Sequence, residues 1–142
     1  ACIVEIERDT GFVTIERYVV AEDCGTVLNP QVVEGQQHGA IAMGIAGTLY
    51  ERVFYDETGQ NRSGSLAEYL VPTASEIPPI ESIPMHTPNR RTPAGIKGMA
   101  EGGVMGAIGA VSNAVNDALG LVGRRIDAQP FDPVGIMREL RR

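Results

Sequence analysis

The segment from Gln31 to about Tyr50 has a helical composition, yet it carries Gly35, Gly39, Gly44 and Gly47. A glycine inside a helix costs about 1 kcal/mol relative to alanine. A helix that keeps so many glycines is expected to bring its bare backbone very close to a neighbour. The Gly35/Gly39 face is therefore expected to lie against another segment or chain. Asn29 is placed to cap this helix, and Pro30 suits its first position.

Composition supports the same picture of close packing by small side chains. Aromatic residues make up 5 % of the 142-residue chain, Trp is absent, and there are 17 glycines. An apolar fraction of 43 % and a charged fraction of 21 % suit a folded globular domain with a modest core. Ile3 to Glu7 and Phe12 to Val20 are β-rich runs joined by the turn signal Asp9-Thr10-Gly11. Leu49 to Tyr55 is expected to be a strand, turned by Asp56-Glu57-Thr58-Gly59, and Ile80 to His86 a short edge strand. Val104, Ile108, Val111, Val115 and Leu119 follow at helical spacing, which predicts a second helix from about Gly103 to Leu119. Pro133 opens a short last helix through Leu140. The expected class is mixed α/β (α+β), with residues 1–142 as a single unit free of repeats and linkers.

Charge narrows the partners. The net charge is −6 and no basic run precedes the last residues, which disfavours nucleic acid and anionic membrane. Arg138, Arg141 and Arg142 suit the C-terminal end of a helix. Cys2 and Cys24 make neither a disulfide framework nor a zinc site, and a reducing, cytoplasmic setting is expected. No apolar run is long enough to span a bilayer. The first residues show no signal-peptide pattern and resemble the interior of a strand, so a piece of something longer is expected.

The strongest local chemistry is Glu101, a lone carboxylate within Gly95-Ile96-Lys97-Gly98-Met99-Ala100-Glu101-Gly102-Gly103. Glycines let backbone N–H groups approach an anion, and a helix start favours negative charge. The plainer alternative is that Glu101 decorates the helix dipole; on spacing alone that is the commoner case. A dinucleotide fingerprint ending at Gly106 needs Gly where Glu101 stands, and no Gly-Lys-Ser/Thr phosphate loop occurs. His38 and His86 have no partner at ligand spacing, and Ser63, Ser65 and Ser112 lack a nucleophile-elbow pattern. Gln36 and Gln37 stand side by side on the Gly-rich helix, where a buried amide needs a partner.

Three segments carry a resemblance. Asp23-Cys24-Gly25-Thr26-Val27-Leu28-Asn29-Pro30, Val33-Glu34-Gly35-Gln36 and Lys97-Gly98-Met99-Ala100-Glu101 resemble the C-terminal part of molybdenum hydroxylase large subunits. This is the xanthine dehydrogenase, aldehyde oxidoreductase and aerobic carbon monoxide dehydrogenase family. Arg125-Ile126-Asp127-Ala128-Gln129-Pro130, leading into a final helix, agrees as well. The resemblance spans essentially the whole chain, which covers a small C-terminal fraction of such a subunit.

The resemblance implies a molybdopterin cofactor carrying molybdenum, of the cytosine dinucleotide type, with no amino-acid ligand to the metal. It implies Glu101 as the general base that takes a proton from the water-derived hydroxyl attacking an electron-poor carbon. Gln36 would bond the pterin or its pyrophosphate. Lys97, Gly98, Met99 and Ala100 would pass along the cofactor, mostly through backbone N–H groups, and the loop Asp23 to Asn29, with Thr26, would touch the nucleotide. Implied partners are the rest of the molybdenum-binding subunit and the subunits or domains carrying 2Fe-2S clusters and FAD, assembled as a dimer of heteromers. Gly102-Gly103 departs from the family's pattern, in which a bulkier or Pro-containing pair follows the Glu. The substrate class stays open among aldehydes, N-heterocycles and carbon monoxide. Two other readings stand beside this one: a non-catalytic assembly module of the same fold, and a nucleotide-binding α/β domain using the loop from Gly98 to Gly106.

Overall fold

The computed structural model describes residues 1–142. Strands β1 (Cys2–Ile6) and β2 (Val13–Asp23) form the expected antiparallel hairpin, with a register shift between Ile3 and Val4. Helix α1 (Pro30–Leu49) follows, then β3 (Ile80–Met85), a 3-10 turn at Pro93–Gly95, α2 (Gly102–Gly120) and α3 (Pro133–Leu140). β3 joins β2 in parallel, so the sheet order is β1-β2-β3. Parallel neighbours need a long crossover, and α1 lies within it. Pro84 sits in β3 without cost because an edge strand has unpaired N–H positions.

Alternation puts Val13 and Ile15 in the core and Thr14 outside, and the register shift, which leaves Glu16 without a partner, then brings Tyr18 rather than Arg17 inward. Ile41, Ile45 and Leu49 of α1 meet Ala107, Val111, Val115 and Leu119 of α2 there, with Phe131 and Ile136 closing the far end. The tail is fastened by the Phe131 N–H, which donates to the Thr48 carbonyl at 2.8 Å. Asp132 caps α3 by accepting from the Gly135 N–H at 2.7 Å.

The close backbone approach expected of α1 occurs at Gly44. A Cβ there would lie 2.5 Å from the Ala107 Cβ and 3.0 Å from the Val104 carbonyl oxygen. Gly35 and Gly39 meet nothing within 4 Å in this chain. The crossing also corrects the expected face of α2. The buried residues are Gly103, Ala107, Val111, Val115 and Leu119, whereas Val104 is half-buried and Ile108 is 39 % exposed. Only a side chain as small as Ala107 fits against Gly44, so the bulkier Val104 and Ile108 turn away from the crossing.

The expected strand at Leu49 to Tyr55 does not form. Leu49 is the last residue of α1, and Tyr55 makes a single bridge to Asn61 around the Asp56–Gly59 turn. Two amides, from Tyr50 and Glu51, converge on the Ala46 carbonyl at 2.9 Å and end the helix in a tight turn. The Phe54 N–H then donates to the Ser63 hydroxyl at 2.9 Å rather than to a strand partner.

Candidate functional site

Two loops meet beyond the C-terminal ends of β2 and β3, the end of a parallel pair where ligands bind in open α/β sheets. Asp23, the last residue of β2, ties them together. Its carboxylate accepts from Lys97 Nζ at 2.6 Å, from the Gly25 N–H at 2.8 Å, from the Thr87 N–H at 3.2 Å and from the Thr87 hydroxyl. The Lys97 bond, then Thr87 and Gly25, hold the Asp23 carboxyl well below the usual carboxylate range. Lys97 Nζ also donates to the Thr87 hydroxyl at 2.6 Å.

The backbones are joined as well. The Lys97 N–H donates to the Cys24 carbonyl at 2.9 Å, and the Thr26 N–H to the Gly95 carbonyl at 3.2 Å. Gly25 has φ +68°, and a Cβ on it would fall 2.3 Å from the Gly95 oxygen. Glycine is thus required there by both conformation and space. Asn29 caps α1, its side chain accepting from the Val32 N–H at 3.3 Å.

Past Lys97 the loop opens. None of the backbone N–H groups from Gly98 to Glu101 has an acceptor within the chain. Glu101 occupies the N-cap position of α2 with an exposed side chain that makes no capping hydrogen bond. The helix-decorating role would favour such a bond, and the carboxylate is left available instead. A cleft of about 290 Å³ lies beside this loop, lined by residues that include Glu22, Cys24, Val33, Gln37, Met85 and Met99.

The comparisons bear on what this end of the molecule holds. Residues 1–78 match the model of the molybdopterin cofactor-binding domain family. The chain belongs to the molybdopterin cofactor-binding family of the molybdenum hydroxylases. It is 41 % identical over 97 % of its length to the nicotine 6-hydroxylase large subunit of Paenarthrobacter nicotinovorans, covering 17 % of that protein. It is 36 % identical over 92 % of its length to the carbon monoxide dehydrogenase large chain of Afipia carboxidovorans, covering 16 % of it. The solved quinoline 2-oxidoreductase from Pseudomonas putida 86 superposes with a TM-score of 0.95 at 41 % identity, over 99 % of this chain and 18 % of that one. The chain thus spans about a sixth of the length of the curated relatives it matches.

In this member of the molybdopterin cofactor-binding family, Asp23, Thr26, Lys97, Gly98, Met99 and Ala100 belong to one bonded pair of loops, and Glu101 ends it. Met99 reaches the cleft wall. Asn29 stands apart as a helix cap. Gln36 is exposed on α1 and does not line the cleft, whereas its neighbour Gln37 does and is 4 % exposed. Gln37 has partners on both sides of its amide, Ser82 and Glu22. The sequence carried a signal for it: Gln37, Ile41 and Ile45 recur every fourth residue, so Gln37 rides the core face of α1. No group of three or more His, Cys, Asp or Glu side chains is placed to hold a metal ion. No strand runs into the loop before α2, whose approach is a 3-10 turn, so the dinucleotide-binding alternative lacks its strand–loop–helix frame.

Proposed function

We propose that this chain forms part of the active site of a molybdenum hydroxylase that oxidises an aldehyde, an N-heterocycle or carbon monoxide with water-derived oxygen. The observation that carries the reading is Glu101. It is an exposed carboxylate without a hydrogen-bond partner, at the end of a loop with four unpaired amides whose Met99 lines a largely apolar cleft. The N–H groups of Gly98, Met99, Ala100 and Glu101 suit the polar edge and phosphates of molybdopterin, in its cytosine dinucleotide form. Lys97 and Asp23 hold that loop in place, Thr26 and Asn29 would serve the nucleotide part, and Gln36, exposed on α1, would reach the pterin from outside the cleft. When bound, the cofactor supplies the two-electron acceptor. Glu101 would then serve as the general base that takes the proton from the attacking hydroxyl. Residues 1–142 act as one C-terminal portion of the cofactor domain. The rest of the molybdenum-binding subunit and the units carrying 2Fe-2S clusters and FAD complete a cytoplasmic dimer of heteromers. No helix is long and apolar enough to cross a membrane.

The test is Glu101→Gln in the assembled enzyme. The amide keeps the shape and loses the base. Activity per bound molybdenum should fall roughly 10²- to 10⁴-fold with molybdenum content unchanged. Near-normal activity per metal would sink the assignment and leave Glu101 as a helix-start charge.

A further inference from the structure

Glu22 is the penultimate residue of β2, and its carboxylate lies against the start of α2. A Cβ on Gly102 would fall 1.7 Å from Glu22 Oε1 and 2.8 Å from its Cδ. The other oxygen, Oε2, accepts from Gln37 Nε2 at 3.2 Å. Gln37 Oε1 in turn accepts from the Ser82 hydroxyl at 2.5 Å. The Glu22 carboxylate fixes which way the buried amide points, because it can only accept, whereas the Ser82 hydroxyl can donate or accept. The Gln37 NH₂ must then face Glu22. A Cβ on Gly103 would lie 3.0 Å from the Gln37 backbone oxygen. Glu22 of β2 meets Gly102 and helix α1 meets Gly103, the two residues that directly follow Glu101, with Ser82 of β3 behind Gln37.

We propose that Glu22, oriented by Gln37 and Ser82, is a positioning residue that sets the first turn of α2 and through it the place of Glu101. The proposal rests on the reading of Glu101 as the base. A carboxylate at a helix start is favoured by the free amides there. The Gly102-Gly103 pair gains a cause: Glu22 fills the space that a side chain at 102 would take. The acidic residue and the glycine pair form one unit, and neither can change alone without moving Glu101.

The test uses the assembled holoenzyme with four variants: Glu22→Ala, Glu22→Gln, Gly102→Ala, and Glu22→Ala with Gly102→Ala. A misplacement of about 1 Å can cost 10²-fold in rate. For Glu22→Ala, kcat per molybdenum should fall roughly 10- to 100-fold with KM little changed, and the amides of residues 101–104 should exchange hydrogen faster. Glu22→Gln, which can still accept from Gln37, should recover most of the rate. The double variant should be no worse than Glu22→Ala, because Gly102→Ala acts by evicting Glu22. If Glu22→Ala does not assemble, Glu22→Asp withdraws the carboxylate by one methylene and should show the same pair of changes more weakly.

Unchanged kcat per molybdenum and unchanged exchange would overturn the proposal. So would additive losses, or lower thermal stability and metal content with normal kcat per metal. Glu101→Gln keeps the two claims apart. If that variant stays active, the base reading fails, while amide exchange in Glu22→Ala still decides whether Glu22 orders the turn.

Discussion

Asp23 makes the order of two loops depend on ionisation. Its folded carboxyl titrates well below its ordinary range because Lys97, Thr87 and the Gly25 amide all donate to the charged form. A carboxylate depressed in the folded state adds stability above its unfolded pKa of about 3.9, and the gain is lost as pH falls from there through the folded value. Asp23→Asn keeps an acceptor for Gly25 and Thr87 and loses the charge that Lys97 meets. The variant should therefore melt below the wild type from pH 5 to 8 by a constant margin, and the two curves should begin to converge only below about pH 4, as pH falls toward the depressed folded value. Melting temperatures measured across pH decide it; a margin that persists at low pH would mean the loss is steric. The Asp23–Asn29 loop was legible because its polar and turn residues cluster. Its bond to Lys97 was not, since the two residues lie 74 positions apart and only the parallel β2–β3 pairing brings them together.

Helix α1 was readable from Asn29, Pro30 and its length, and its glycines did announce a close crossing. Which glycine makes the crossing was not readable, because that depends on the angle at which α2 arrives. The Gly44–Ala107 contact decides it, and the same contact turns Val104 and Ile108 off the face that periodicity alone assigned them. The missing strand after Leu49 has a similar origin: β-rich residues there found hydrogen-bond partners within their own turn. Two substitutions separate the glycines. Gly44→Ala puts a methyl where the backbones touch and should destabilise the chain by about 1–3 kcal/mol, as overpacking does. Gly39→Ala enters open space within the chain and should be neutral or add up to about 1 kcal/mol through helix propensity. Chemical denaturation of both variants checks the pair; equal effects would show that α1 and α2 do not cross at Gly44.

At the scale of the molecule, the candidate site has one side. The amides from Gly98 to Glu101 have no acceptor in the chain, and large apolar side chains elsewhere on its surface are left unburied: Leu28 is 69 % exposed, Val32 58 %, Met43 65 % and Met105 73 %. Such surface is costly to leave in water at about 25 cal/mol per Å² of apolar area, and it suits contact with further protein. The curated relatives are about six times the length of this chain, which leaves ample sequence to supply that contact. A dinucleotide cofactor held from one side keeps most of its surface hydrated and gains little beyond the hydrogen bonds of one loop. Those bonds contribute about 0.5–1.5 kcal/mol each against water, too little to offset the roughly 4–15 kcal/mol of freedom lost on binding. The isolated chain should therefore bind molybdopterin weakly or not at all, while the full subunit retains it through purification. Equilibrium dialysis of the isolated chain against the pterin, with molybdenum counted by mass spectrometry, gives the answer. Stoichiometric occupancy on this chain alone would mean that its two loops suffice as a binding site and that the exposed apolar surface serves some other contact.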